Sequence, residues 1–71
     1  MDYDYSKLRG RVVEKYGTYS AFADALNTHK SQVSAKLNGK IDITKDDIEN
    51  WSRALQISRG DYGTFYFTPK V

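Results

Sequence analysis

The chain has 71 residues and no cysteine, and its 11 lysine and arginine residues against 9 aspartate and glutamate residues give a formal net charge of +2. A chain of this length predicts one domain over residues 1–71, and the lack of cysteine excludes disulfides and thiolate metal sites. No apolar run approaches the roughly 18 residues of a membrane span, and the opening MDYDYSKL lacks the features of a signal peptide. We therefore expect a cytoplasmic protein with no membrane partner.

The first predicted element is a helix over residues 5–16. Its apolar residues recur at spacings of three and four: Tyr5, Leu8, Val12 and Tyr16. This spacing places them on one helix face, with Asp4 as a candidate cap and Gly17 at the end. Gly10 lies inside the helix and costs on the order of 1 kcal/mol relative to alanine. We therefore expect a neighbouring element to approach the backbone closely at Gly10.

Two short helices are predicted next, over residues 19–26 and 29–38. Their inward faces consist of Phe22, Ala23 and Leu26 in the former and Val33 and Leu37 in the latter. The candidate N-caps are Thr18 or Ser20 for the former and Thr28 for the latter. Asn27 tolerates a left-handed backbone and so ends the first of these helices, and Gly39 closes the second.

A fourth helix is predicted over residues 45–56. Thr44 is its candidate N-cap, and Asp46 and Asp47 lie in the first turn, where acidic side chains complement the helix dipole. Ile43 and Ile48 occupy the positions of a hydrophobic staple around this cap. The four helices together predict an all-α fold, a compact bundle joined by short turns.

Residues 58–71 form a tail of different character. The segment TFYFT has strand-forming residues without a helical period, which predicts a short strand or an extended segment. The two ends of the chain are rich in aromatic residues: Tyr3, Tyr5, Tyr62, Phe65, Tyr66 and Phe67. These side chains either pack together over the bundle or offer FYF as a dimerisation strand, and the sequence slightly favours packing.

The segment TYSAFADALNTHKSQVSAKLNGK, residues 18–40, resembles the helix-turn-helix of the lambda-repressor-like (Cro/CI, or XRE) family. The whole chain is similar to small Cro-like proteins of Gram-positive temperate phages, some of which act as antirepressors, or modulators of repression. The resemblance implies a four- to five-helix domain in the cytoplasm of a bacterial host. The sequence departs from the family pattern at four positions: Tyr19, Asn27, Thr28 and Lys36.

The leading hypothesis is a Cro-like transcriptional regulator that binds operator DNA through the helix 29–38, in which lysines attract phosphates and short polar side chains read bases. A helical wheel turns Ser31, Gln32 and Ala35 outward, and the resemblance implies phosphate contacts by Tyr19 and Asn38. The candidate DNA-binding residues are Tyr19, His29, Lys30, Ser31, Gln32, Ser34, Ala35, Lys36, Asn38 and Lys40. Since one such helix reads only a few base pairs, useful specificity predicts either a homodimer on a symmetric site or a second DNA-binding partner.

The alternative is an antirepressor that binds the phage lysogeny repressor protein and blocks its DNA binding. The modest net charge and the departures from the family pattern favour it. An acidic face could mimic phosphates toward the repressor's basic helix, and its residues are Asp42, Asp46, Asp47 and Glu49.

No enzyme, cofactor or metal site is expected. The sequence has no nucleophile with a base and no phosphate-cradling glycine loop. His29 is the only histidine, and its expected role is that of a surface residue at a helix start. The acidic cluster lacks the glycine and ligand order of a calcium loop.

Overall fold

Five α-helices and one 3-10 turn make up the regular structure in the computed structural model, which describes residues 3–70. The helices are α1 (Ser6–Tyr16), α2 (Tyr19–Ala25), α3 (Lys30–Leu37), α4 (Lys45–Leu55) and α5 (Tyr62–Tyr66), and Arg59–Asp61 forms the 3-10 turn. Within residues 3–70 the only β-type pairing is one isolated antiparallel bridge between Tyr3 and Pro69. The predicted all-α class is confirmed. The predicted bounds of the first four helices lie within one residue of these.

The ends of the helices follow from local backbone chemistry. Thr18 caps α2 by accepting a hydrogen bond from the Ala21 amide, and Thr44 and Asp47 form a capping box at the start of α4. Asn27 has a φ of 58°, so the predicted left-handed turn after α2 is confirmed. Gln56 ends α4 in the same conformation, with a φ of 57°.

The core lies where α1, α2, α3, α4 and α5 meet. Its buried hydrophobic residues are Leu8, Val12, Phe22, Ala23, Val33, Leu37, Trp51, Leu55, Ile57 and Tyr66. The Phe22 ring packs edge-on against Trp51, with 5.2 Å between centroids. The Tyr66 and Ser52 hydroxyls share a buried hydrogen bond of 2.9 Å, and burial raises the pKa of Tyr66 to about 12. This bond gives the fifth helix a polar contact inside the core.

The prediction of an extended tail over residues 58–71 is wrong for residues 59–66, and Val71 lies outside the described residues. The segment forms a helix instead, and its aromatic residues lie on one face at spacings of three and one: Tyr62, Phe65 and Tyr66. This helix buries Tyr66, while Tyr62 and Phe65 pack at the edge of the core. Burial of this aromatic face outweighs the weak helix propensity of a five-residue segment.

The two ends of the described chain pack together. The Asp4 amide donates a hydrogen bond of 2.7 Å to the Thr68 carbonyl, and the Tyr3 ring meets Phe67 edge-on at 5.6 Å. Of the two interpretations of the aromatic ends, packing over the bundle is confirmed. The alternative, FYF as a dimerisation strand, is wrong, because Phe65 and Tyr66 belong to α5 and Tyr66 is buried in the core.

Two smaller expectations are corrected. A Cβ atom added at Gly10 would meet nothing within 4 Å, so no neighbouring element requires a glycine there. Thr28 does not cap α3, because His29 holds the N-cap position and makes no side-chain capping bond. The Thr28 amide instead donates to the Ala23 carbonyl at 2.9 Å, which closes the turn after α2.

Candidate partner-binding surface

The turn between α2 and α3 sets the direction in which α3 faces. The turn spans residues 26–29 and combines the left-handed Asn27 with the extended backbone of His29. Val33 and Leu37 fix the inner side of α3, since both are buried in the core. The side of α3 opposite Val33 and Leu37 therefore faces away from the bundle.

The structure places most of the sequence-predicted residues on this outer side. Six of them are exposed: His29, Lys30, Ser31, Gln32, Asn38 and Lys40. The other four are half-buried: Tyr19, Ser34, Ala35 and Lys36. The Asn38 side-chain amide donates to the Ser34 hydroxyl at 3.3 Å, which orders the end of α3. The exposed set forms a weakly basic, polar surface.

Lys36 is engaged inside the molecule. Its Nζ atom lies 2.7 Å from Oδ2 of Asp47, and the two side chains are 18% and 19% exposed. Oδ2 of Asp47 also accepts a hydrogen bond from the Thr44 amide. Burial alone would raise the pKa of the Asp47 carboxyl, but the bonds from Lys36 and Thr44 outweigh it and hold that pKa below its usual value. The pair therefore joins α3 to the first turn of α4 in its charged form.

The ion pair draws one residue from each of the two predicted surfaces. Lys36 was expected to contact phosphates, and Asp47 was expected on the acidic face. The two charges neutralise each other, so Lys36 is not free for a phosphate and Oδ2 of Asp47 is occupied, whereas Oδ1 of Asp47 accepts no hydrogen bond within residues 3–70. The other acidic residues, Asp42, Asp46 and Glu49, are exposed.

A small cleft lies beside the ion pair, between the turn after α2, α3 and α4. Its volume is about 90 Å³. Leu26, Val33 and Trp51 line it together with polar side chains of α3 and α4. Sequence reasoning missed this cleft, because it depends on how α3 and α4 pack.

Sequence reasoning also missed Arg9. Its Nη1 atom donates a hydrogen bond of 3.0 Å to the Leu37 carbonyl, one of the unpaired carbonyls at the end of α3. The bond ties α1 to the C-terminal end of α3. The basic character of α1 was visible in the sequence, but the partner of Arg9 was not.

Among residues 3–70, no group of three or more histidine, cysteine or acidic side chains is arranged to hold a metal ion. No helix within the same residues is long and apolar enough to cross a membrane. The absence of enzymatic activity stays a prediction.

Comparison with known proteins adds two findings. Residues 1–69 match the profile of the family described as "Protein of unknown function (DUF739)". The solution structure of the modulator of repression (MOR) of the temperate bacteriophage TP901-1 from Lactococcus lactis is similar to this chain, with a TM-score of 0.82 and 38% sequence identity. That match covers 100% of this chain and 96% of the phage protein. No protein with curated annotation matches.

Proposed function

Since the chain belongs to the DUF739 family, we propose that it modulates repression by binding a phage-type lysogeny repressor and keeping that repressor off its operator DNA. The observation that carries the proposal is the full-length similarity to a phage modulator of repression, at 38% identity and a TM-score of 0.82. At this identity and coverage the two chains share a fold over their whole length. The proposed site of action is the cytoplasm of a bacterial host, where a repressor meets its operator.

The distribution of charge supports a protein partner. Asp42, Asp46 and Glu49 are exposed around the start of α4, and they offer a repressor negative charges in place of DNA phosphates. Complementary charge of this kind speeds association and fixes the register of a complex. Lys36, the central cation of the predicted DNA surface, is neutralised by Asp47.

Direct binding to operator DNA, as in Cro-like proteins, is the second candidate. Lys30, Lys40 and His29 remain exposed at the two ends of α3, with Ser31 and Gln32 exposed between them. Such a surface permits phosphate contacts with a few base contacts. A homodimer on a symmetric site belongs to this candidate only, because a repressor complex does not require one.

The test measures binding of the protein to a purified phage lysogeny repressor by isothermal titration calorimetry. The charge-reversal variant combines Asp46→Lys with Glu49→Lys, since both residues are exposed and outside the ion pair. We expect it to weaken the complex by at least about tenfold. The matched control, Asp24→Lys with Glu14→Lys, makes the same change in net charge on α2 and α1.

Wild-type protein that does not bind the repressor would contradict the proposal. Equal weakening by both variants would remove the acidic face from it, since net charge alone would then explain the loss. Circular dichroism of both variants checks that the helices are retained. Of the four positions changed in the two variants, only Glu14 takes part in an ion pair among the described residues. That pair, with Arg11, is exposed and contributes little to stability.

A further inference from the structure

The cleft beside the Lys36–Asp47 pair has an apolar floor. Leu26 is half-buried, and Val33 and Trp51 are only 1% and 3% exposed, so the floor belongs to the core itself. Its volume of about 90 Å³ is smaller than the roughly 150 Å³ of a cavity that holds benzene. The size of the cleft suits the end of one narrow side chain.

The rim of the cleft carries hydrogen-bond acceptors that the fold does not use. Oδ2 of Asp47 accepts two hydrogen bonds, one from Lys36 and one from the Thr44 amide. Oδ1 of Asp47 accepts no hydrogen bond within residues 3–70. Gln32 and Asn50 lie on the same rim and are exposed, and their side-chain amides make no hydrogen bond among the described residues. Three side-chain oxygens thus surround an apolar slot.

We propose that this cleft binds an arginine side chain of the repressor protein, an inference that rests on the proposed function. A guanidinium group offers five N–H donors in a fixed plane, which suits several acceptors around a narrow slot. Its apolar stem covers the parts of Leu26, Val33 and Trp51 that line the cleft. Lys36 keeps its place on Oδ2 while the guanidinium takes Oδ1 of Asp47.

Other ligands fit this cleft less well. An anion would meet the free oxygen of Asp47, and an uncharged aliphatic side chain would cover that oxygen without giving it a donor. Arginine is also the commonest specific reader of guanine in DNA-binding surfaces. Capture of such a side chain would remove it from the operator, which links the cleft to the mechanism of repression control.

The first test does not depend on the repressor. Nα-acetyl-arginine methylamide is titrated into the ¹⁵N-labelled protein, and the indole N–H signal of Trp51, the only tryptophan, is followed by NMR together with the side-chain amides of Gln32 and Asn50. The citrulline analogue is the control, since it keeps the shape and loses the charge. We expect saturable chemical-shift changes with the arginine compound and an affinity at least about tenfold lower for the citrulline analogue. The affinity for the lysine analogue should lie between these two. Absent shifts, or equal shifts with citrulline, would overturn the proposal.

The second test uses the complex with the repressor. Asn50→Lys places a cation on the rim, and Thr64→Lys makes the same charge change on α5, outside the cleft; both positions are exposed. We expect Asn50→Lys to weaken the complex by at least about tenfold and Thr64→Lys to leave it within about twofold. Equal affinities of the two variants would overturn the cleft's role. A wild-type protein that binds arginine but no repressor would instead contradict the proposed function and leave the arginine site standing.

Discussion

The Lys36–Asp47 pair decides which charges are free on both candidate surfaces, and a double-mutant cycle measures its strength. The cycle consists of Lys36→Met, Asp47→Asn and the two together. Exposed ion pairs contribute about 0.2–1 kcal/mol, but these side chains are only 18% and 19% exposed and lie 2.7 Å apart. A hydrogen bond to a charged group contributes about 1.5–3 kcal/mol. We therefore expect a coupling free energy of about 1–2 kcal/mol.

Urea denaturation followed by Trp51 fluorescence gives the free energies of unfolding, because Trp51 is the only tryptophan and is 3% exposed. Asparagine at position 47 keeps an oxygen that can accept from the Thr44 amide, so the cycle isolates the contact with Lys36. A coupling below about 0.3 kcal/mol, the usual limit of additivity, would refute the reasoning. Lys36 and Asp47 would then be free for outside partners.

The same pair predicts a pH dependence. Because the pKa of Asp47 is lowered in the folded protein, its stabilisation is present above the unfolded-state value, near 3.9, and is lost as the pH falls through the lower folded-state value. Wild type should therefore lose more stability than Asp47→Asn between pH 5 and the acid limit of folding, as measured by urea titrations at each pH. Parallel losses in the two proteins would contradict a lowered pKa.

Three further substitutions are expected to change the free energy of unfolding, each measured by the same urea titration. Gly10→Ala should stabilise by about 0.5–1 kcal/mol, because the added Cβ meets nothing within 4 Å; a loss would reveal an unseen neighbour. Gln56→Gly should stabilise by up to about 1 kcal/mol, since position 56 has a φ of 57° and the substitution loses only an exposed hydrogen bond from Lys15; a net loss of stability would contradict this expectation. Tyr66→Phe should destabilise by about 1–3 kcal/mol by leaving the buried Ser52 hydroxyl without its partner. Adding Ser52→Ala should then recover part of that loss, whereas purely additive losses would exclude the bond.

The positions of the first four helices were predictable because local signals agree there. Apolar residues recur at helical spacing, Thr18 and Thr44 cap α2 and α4, and Asn27 takes the left-handed conformation that its side chain tolerates. The fifth helix was not predictable. Its segment is rich in strand-forming residues, and the burial of Tyr66 that holds it as a helix exists only after the bundle has formed.

The candidate surface was predictable only in part. A helical wheel of α3 gives the exposed side chains such as Ser31 and Gln32, because it needs one helix alone. It cannot show that Lys36 meets Asp47, since these residues lie on different helices and pair only through the packing of α3 against α4. The ion pair also explains how a lysine occupies a half-buried position on α3.

The most direct measurement of the central claim is a fluorescence-anisotropy titration with three components. Labelled operator DNA is first saturated with the repressor, and this protein is then added at near-physiological salt. We expect the anisotropy to fall to the value of free DNA as the protein approaches one equivalent of repressor, and the protein alone to leave the anisotropy of free operator DNA unchanged. A protein that binds the operator by itself, resists competition by unrelated DNA and leaves the repressor's affinity unaltered would contradict the account.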